Sequence, residues 1–415
     1  MPTSLLPQGE IFAAAMSLAT GSVSPQILED DFDVDADVLN EAMSSEYRGI
    51  GFHGMIRAAA AEAGIPVGHH IADAEYYRLA QQIQERFDYR SAGGQISASQ
   101  GWSTMNLASI NENVLNRAIH SRFAKHTSII PAVAQEAPSR DFRPHKTYRM
   151  YGHGFFKKVG ATGEIEHLQF SDTGFSNAVD TTAGMVTIPR TAIINDEIGI
   201  FDQMAVSIAD VGFDTRERDF CYLLLDPSLW RTSATTAPDG NGQLPANALA
   251  SGGSSAFGIE ALEALDDVLS NQRDRADKPI RTGGEKVLLT QAGAMARRAK
   301  DINQSSVLMD LASGTKAGQK TEKANPFYGE LDKRVSTQWL NHEEMGSRQS
   351  ATAFFMFADP LVQPFLQVLY LNDRRTPHVE SERGAFNVLG QQMRSYWDYG
   401  MAQIDDVGGG YSPGA

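Results

Sequence analysis

The segment Thr181–Pro227, TTAGMVTIPRTAIINDEIGIFDQMAVSIADVGFDTRERDFCYLLLDP, constrains the chain more than any other. A short strand pattern, MVTI, enters a polar turn. Ile198, Phe201, Met204, Ala205, Ile208 and Val211 then recur at spacings that line one face of a helix. Asn195 or Asp196 supplies the N-cap, and acidic residues in the first turn complement the helix dipole. DTRERD interrupts the stripe with five charged side chains in six positions, after which FCYLLL is apolar on all sides. A helix from Glu197 to Leu225 would be about 43 Å long at 1.5 Å per residue. An element of that length can serve as a backbone for a flat protein.

Residues 146–191 upstream change period. They are rich in glycine, lack helical spacing, and contain alternating pieces such as EIEHLQF and MVTI. This predicts two or more strands around a long projecting loop or hairpin, which needs a partner surface to be ordered. The pieces FHGMIRAAAAEAG, ADAEYYRLAQQIQERF and STMNLASINENVLNRAIHSRF predict helices. Tyr76, Leu79, Ile83 and Phe87 give the second one an apolar stripe. PAVAQEAPSRDFRPHK predicts an extended connector, and APDGNGQLPANALASGGSS a surface excursion. A second domain opens with an amphipathic helix through Ile259, Leu262, Leu265 and Leu269. KVLLT follows as a buried strand and QAGAMARRAKDI as a helix. FFMFADPLVQPFLQVLYL predicts buried strands or short helices broken at Pro360 and Pro364. Near the C-terminus, Met393, Ser395, Trp397 and Tyr399 alternate with Arg394, Tyr396 and Asp398 as in a strand.

The totals exclude several functions. Fifty-one acidic against 36 basic residues give a formal net charge of −15, unsuited to a stoichiometric nucleic-acid binder. RDFRPHKTYR, FFKKVG, ARRAK and NDRR are short basic patches that read as solvated faces. The single cysteine, Cys221 in FCYLLL, excludes an intrachain disulfide and reads as a buried small hydrophobe. No apolar run approaches the roughly 20 residues of a membrane span, and no export signal is readable at the N-terminus.

Between Glu29 and Glu46 stand eight acidic residues and no basic one, with Phe32, Val34, Val38 and Leu39 among them. A calcium loop begun at Asp31 would need glycine and glutamate where Ala36 and Ala42 stand, so this predicts a solvated acidic face or a flexible arm. His69 and His70 are adjacent and cannot point the same way in regular structure, and His120 and His126 fall on different helix faces. NHEEMGS lacks the second histidine of a zinc protease, and no phosphate-binding loop, dinucleotide fingerprint or nucleophile elbow is present. No catalytic, cofactor or metal site is expected, although a soluble enzyme with an unrecognised site stays an alternative.

MVTIPRTAIINDEIGIFDQMAVSIADVGFDTRERDFCYLLLD resembles the tailed-phage major capsid proteins, especially the branch associated with prohead proteases and transposable-phage heads. The matching residues are Arg190, Ile193, Ile194, Asn195 and Asp196, then the helix from about Glu197. FGIEALEALDDVLSNQRDRADKPIRTGGEKVLLTQAGAMARRAKDI is similar to the family's entry to its axial domain, except that Asp277 or Lys278 stands where glycine is usual. The C-terminal FNVLGQQMRSYWDYGMAQIDDVGG and the segment NLASINENVLNRAIHSRF also resemble family segments, in family order, over about 95–415.

The resemblance implies an α+β capsid fold: an acidic, helical N-terminal extension over 1–94, either scaffold-like or a retained arm, an N-terminal arm over 95–150 and a projecting E-loop over 151–185. A peripheral domain with a long spine helix over 186–244, an axial domain over 245–370 and a return to the peripheral domain over 371–415 complete it. It implies a head protein whose hexamers and pentamers close an icosahedral shell around double-stranded DNA after assembly in the host cytoplasm. Implied partners are copies of itself, a portal, and scaffold, protease or decoration proteins, with weak non-specific DNA contact and no membrane. Implied assembly residues are Phe155, Phe156, Lys157, Lys158, Arg190, Asn195, Asp196, Phe201, Arg216 and Arg218. An encapsulin-like compartment shell is the alternative with the same fold.

Overall fold

The computed structural model describes residues 8–19, 23–44, 47, 52–62, 65–67, 75–76, 78–80, 82–83, 107–159, 167–189, 199–236, 243–280, 285–311, 320–331, 333–383 and 390–414. They fall into two packing units. The first takes Met1–Thr127, Thr181–Asp214 and Arg374–Trp397, and the second Ser128–Asp180, Thr215–Asp373 and Asp398–Ala415. Helix Gly199–Leu224 and strand Gly390–Gln403 contribute residues to both.

The first unit is built on helices. Gln8–Ala19, Pro25–Asp30, Ala36–Ala42, Phe52–Glu62 and Leu107–Phe123 bury Phe12, Met16, Leu28, Val38, Met55 and Leu115 in one core, which Ala205, Ile208, Ala209, Val379 and Met393 complete. Ser24 opens the second helix by accepting from the Ile27 amide at 3.4 Å, and Pro25 sits in the first turn, where it needs no acceptor. The acidic stretch is a solvated face, as expected, but not a loose arm. Val34, Val38 and Leu39 are buried while Glu29, Asp30, Asp31, Asp33, Asp35 and Asp37 are exposed, so short helices anchor it. Tyr76, Leu79 and Ile83 are buried as their spacing predicts, and Phe87 lies outside the described residues. Arg117 is buried with its guanidinium carbon 5.7 Å from the centre of the Phe32 ring. Burial lowers its pKa, and Glu10 opposes that shift.

Helix Gly199–Leu224 is continuous through DTRERD. The expected capping turn with Asn195, Asp196 and Ile198 lies outside the described residues, as do Arg190, His69, His70 and the side chain of Phe201. Met204, Ala205 and Ile208 face the first unit's core as expected, but Val211 is 65% exposed. The buried face turns instead through Ala209 to Gly212, where a Cβ would lie 2.5 Å from Pro377 Cγ.

The second unit has a four-stranded sheet in the order Lys333–Thr337, Lys286–Gln291, Phe354–Ala358, Gly409–Ser412. The first pair is parallel and the other two antiparallel. Every residue of Phe354–Ala358 is buried, the pattern of a strand covered on both faces. Helix Ile259–Ser270 lays Leu262, Leu265 and Leu269 into the same core, which helix Ala294–Gln304 joins through Ala299 and Ile302. The expected connector at 131–146 is more ordered than its prolines imply. Helix Ile130–Val133 leads into strand Gln135–Ser139, which pairs in parallel with Leu366–Leu371 and so satisfies its backbone groups non-locally. Leu366–Leu371 also pairs antiparallel with residues 399–403 of the long C-terminal strand, on which Met393, Trp397 and Tyr399 are buried. Among the described residues no helix is long and apolar enough to cross a membrane, and no group of three or more His, Cys, Asp or Glu is placed to hold a metal ion.

Candidate assembly interface

Strands His145–His153 and Gln169–Asn177 form an antiparallel hairpin in the second unit, in register from His145↔Asn177 to His153↔Gln169. Because strand side chains alternate, the hairpin has two unlike faces. One carries Arg149 and Tyr151. The other carries Tyr148, Met150 and Phe170, all exposed.

The Arg149 face is the root. Arg149 makes a 3.0 Å ion pair through Nε with Asp405, and its Nη2 donates to the Pro364 carbonyl at 3.3 Å. The Tyr151 hydroxyl donates to Asp405 Oδ1 at 3.5 Å, Gln363 Nε2 donates to Oδ2 at 2.7 Å, and the Asp406 amide donates to Oδ1 at 2.7 Å. Asp406 is held in turn by Arg275, whose Nη2 is 2.6 Å from Oδ2, while Arg231 Nη2 donates to the Asp406 carbonyl at 2.7 Å. Burial pushes the Asp405 carboxyl up to about 6. Arg149 pulls it the other way, and the neighbouring Asp406 adds to the rise. Burial also raises the Tyr151 hydroxyl, with Asp405 and Asp406 adding to the effect. Asn177 Nδ2 closes the second strand's end on the Gln367 carbonyl at 3.3 Å.

The other face pairs rings with glycines. A Cβ on Gly152 would lie 3.1 Å from the Phe170 ring, and one on Gly174 would lie 3.4 Å from Tyr148. In each cross-strand pair the aromatic ring covers bare backbone. Beyond the strands the chain runs out through Phe155, 81% exposed, and Phe156, 92% exposed, to Lys157, Lys158 and Val159, also exposed. Lys278 reaches back to the tip, its Nζ 5.2 Å from the centre of the Phe155 ring. Lys278 follows Asp277, whose φ of +61° lies in the left-handed region that favours glycine. This is the turn at which the resemblance leads one to expect glycine. Asp274 Oδ1 stabilises it by accepting from the amides of Ala276 and Lys278 at 2.9 and 2.8 Å.

The two helix arginines expected at an interface sit differently. Arg216 is 4% exposed, and its Nη1 donates to the Tyr370 hydroxyl at 3.3 Å. Tyr370 in turn donates to Glu136 at 2.9 Å. Next to Arg216, buried Glu217 accepts from Ser128 at 2.5 Å, and burial raises its pKa against the pull of that hydrogen bond and of Arg216. Arg218 is partly exposed and donates to Asp219 at 2.8 Å. Cys221 is buried, as expected, and burial pushes its thiol up. Sequence reasoning missed Arg149, Tyr151, Asp405 and Asp406 because their partners are distant in sequence. The only local sign is the acidic pair of QIDDVGG at the end of the C-terminal strand.

Residues 174–411, more than half of the chain, match the family model described as phage capsid protein. No curated protein sequence matches. Among solved structures, the capsid of the cyanophage P-SCSP1u is similar at 12% identity and a TM-score of 0.44, over 70% of this chain and 88% of that one. The capsid of a native GTA particle is similar at 11% identity and a TM-score of 0.42, over 68% and 88%. A virus-like particle from Pyrococcus furiosus is similar at 11% identity and a TM-score of 0.34, over 72% and 97%.

Proposed function

Because this chain belongs to the phage capsid protein family, we propose that it is the repeating subunit of an icosahedral head. In this reading its hexamers and pentamers enclose double-stranded DNA, and assembly takes place in the host cytoplasm. Residues 151–185, which hold the tip and the second strand of the hairpin, act as the E-loop laid on a neighbouring copy, and the helix from Gly199 is the spine of a peripheral domain over 186–244. Residues 245–370 surround the capsomer axes, 371–415 return to the peripheral domain, and 95–150 form the N-terminal arm. Residues 1–94 are a retained helical extension. Portal, scaffold, protease and decoration proteins are its partners, in keeping with the prohead-protease-associated branch. Contact with DNA is weak and non-specific, in keeping with a net charge of −15.

The observation that carries this reading is the exposed Phe155–Phe156 tip on a strand pair rooted by buried ion pairs. Rigid apolar projections of this kind are costly in a monomer and gain by being covered, about 1.5–3 kcal/mol per phenylalanine. A neighbour that repeats the same contact around a ring gives a closed assembly.

The test is negative-stain microscopy with light scattering on the full-length protein at low and moderate salt. Closed shells, or hexamers and pentamers, are expected. Phe155→Ser with Phe156→Ser should abolish them without lowering the melting temperature of the dissociated protein. A folded wild-type monomer that persists at high concentration overturns the reading.

A further inference from the structure

Strand His145–His153 is tied down at its root, where Arg149 and Tyr151 meet Asp405. Beyond Tyr151 the chain passes Gly152, His153 and Gly154 before it reaches Phe155. Gly154 has a φ of +79°, and a Cβ built on it would meet no atom within 4 Å, so nothing packs the chain down at that position. With the root tie alone the tip would pivot on two glycines, and any neighbour that captured it would bear the whole cost of ordering it.

The turn Arg273–Pro279 supplies a second tie. Its Arg275 side chain holds Asp406 beside the root, and its Lys278 side chain reaches the tip. The backbone of Lys278 is set from three sides. Asp274 Oδ1 accepts from its amide at 2.8 Å, its carbonyl accepts from the Asp274 amide at 2.8 Å, and Pro279 after it disfavours helical backbone. The ammonium lies over bare main chain, since a Cβ on Gly152 would come 3.9 Å from Nζ, and it stands 5.2 Å from the centre of the Phe155 ring. Among the described residues it forms no ion pair, so no carboxylate competes with the ring. Phe155 is nevertheless 81% exposed. A lid would have buried the ring, whereas this contact steadies it and leaves most of it open to a partner. We propose that Lys278 is a positioning residue for assembly, which presets the Phe155 tip of the separate subunit in the attitude that a neighbouring copy receives. The proposal rests on the shell-subunit reading. Presetting takes part of the ordering cost out of the docking step, and a cation over an exposed ring favours the preset state about two- to fivefold.

Light scattering over a concentration series of the full-length protein gives the threshold for assembly. Lys278→Met keeps an unbranched side chain and loses the charge, and it should raise that threshold about two- to fivefold. Lys278→Arg, whose guanidinium also stacks on aromatic faces, should hold the wild-type threshold. On dissociated subunits, chymotryptic nicking at Phe155 and Phe156 follows the population of free tips. It should quicken by a similar factor in the methionine variant and not in the arginine variant, at an unchanged melting temperature. A wild-type threshold or nicking rate in Lys278→Met, a lowered melting temperature there, or a threshold in Lys278→Arg as high as in Lys278→Met overturns the positioning role and leaves the shell reading intact. A wild type that never assembles overturns both.

Discussion

The side-chain amide of Asn116 makes both backbone hydrogen bonds of Val379: Nδ2 donates to the Val379 carbonyl at 3.0 Å, and Oδ1 accepts from its amide at 2.8 Å. A residue on helix Leu107–Phe123 thus takes the backbone groups of strand His378–Arg383 that no other described strand pairs with. Asn116→Leu leaves a backbone donor and acceptor unpaired at a fully buried residue, at about 1–3 kcal/mol for each group. Asn116→Asp keeps the acceptor and should recover part of the loss. Urea unfolding measures both, and a loss under about 0.5 kcal/mol for Asn116→Leu would contradict this role.

Gly212 lies inside helix Gly199–Leu224, where glycine to alanine ordinarily stabilises by about 1 kcal/mol. Here the new Cβ would sit 2.5 Å from Pro377 Cγ, so Gly212→Ala should destabilise instead. Combining it with Pro377→Ala should restore stability, because the ring that clashes is gone. A purely additive double-mutant cycle would show that the two residues do not meet.

Asp405 sets a pH dependence. An unfolded aspartate titrates near about 4, whereas burial pushes Asp405 up to about 6. Between those values the folded chain binds more protons than the unfolded one. The contribution of Asp405 to stability is therefore greatest below about pH 4, falls as pH rises toward about 6, and stays at its lower level above that. The span is about 3 kcal/mol at 1.36 kcal/mol per unit. Asp405→Asn should remove this slope from denaturation curves taken between pH 4 and 7, and identical slopes in the two proteins would falsify the assignment. Asp210 and Glu380 act in the opposite sense and at lower pH. Hydrogen bonds from Arg122 and His126 outweigh burial at Asp210, and Tyr396 and Arg394 act on Glu380. Both carboxyls lie below their ordinary values and lose their contribution as pH falls through them.

Arg275 is the main charged partner of Asp406, and the side chains of this pair are 6% and 11% exposed. Arg275→Met leaves a nearly buried carboxylate without that partner and should cost about 3–5 kcal/mol. Adding Asp406→Asn should return much of it. If the single variant unfolds at the wild-type denaturant midpoint, the pair does not anchor the hairpin root.

Helix Ile259–Ser270 and the candidate tip were legible in the sequence, and the reasons are local: Leu262, Leu265 and Leu269 repeat at helical spacing, and Phe155–Val159 lies in a glycine-rich stretch without helical spacing. Helices Gln8–Ala19, Pro25–Asp30 and Ala36–Ala42 were not legible, because their acidic surroundings resemble a solvated arm. The buried role of Arg216 and Glu217 was not legible, because charged residues in a helix read as solvated until Tyr370 and Ser128 are brought to them. Val211 was assigned to the buried stripe, but the true face turns toward Gly212 because Pro377 packs there.

By itself, then, the sequence determined periods, caps, turns and the absence of local catalytic signatures, since each depends on residues within one or two turns of one another. Tertiary structure alone decided which polar groups are paired. Tyr151 and Asp405 are 254 positions apart, Asn116 and Val379 263 apart, and no local pattern encodes a partner at that distance. A buried polar group must nevertheless be paired, so the completed fold, not the local sequence, selects which residue meets it.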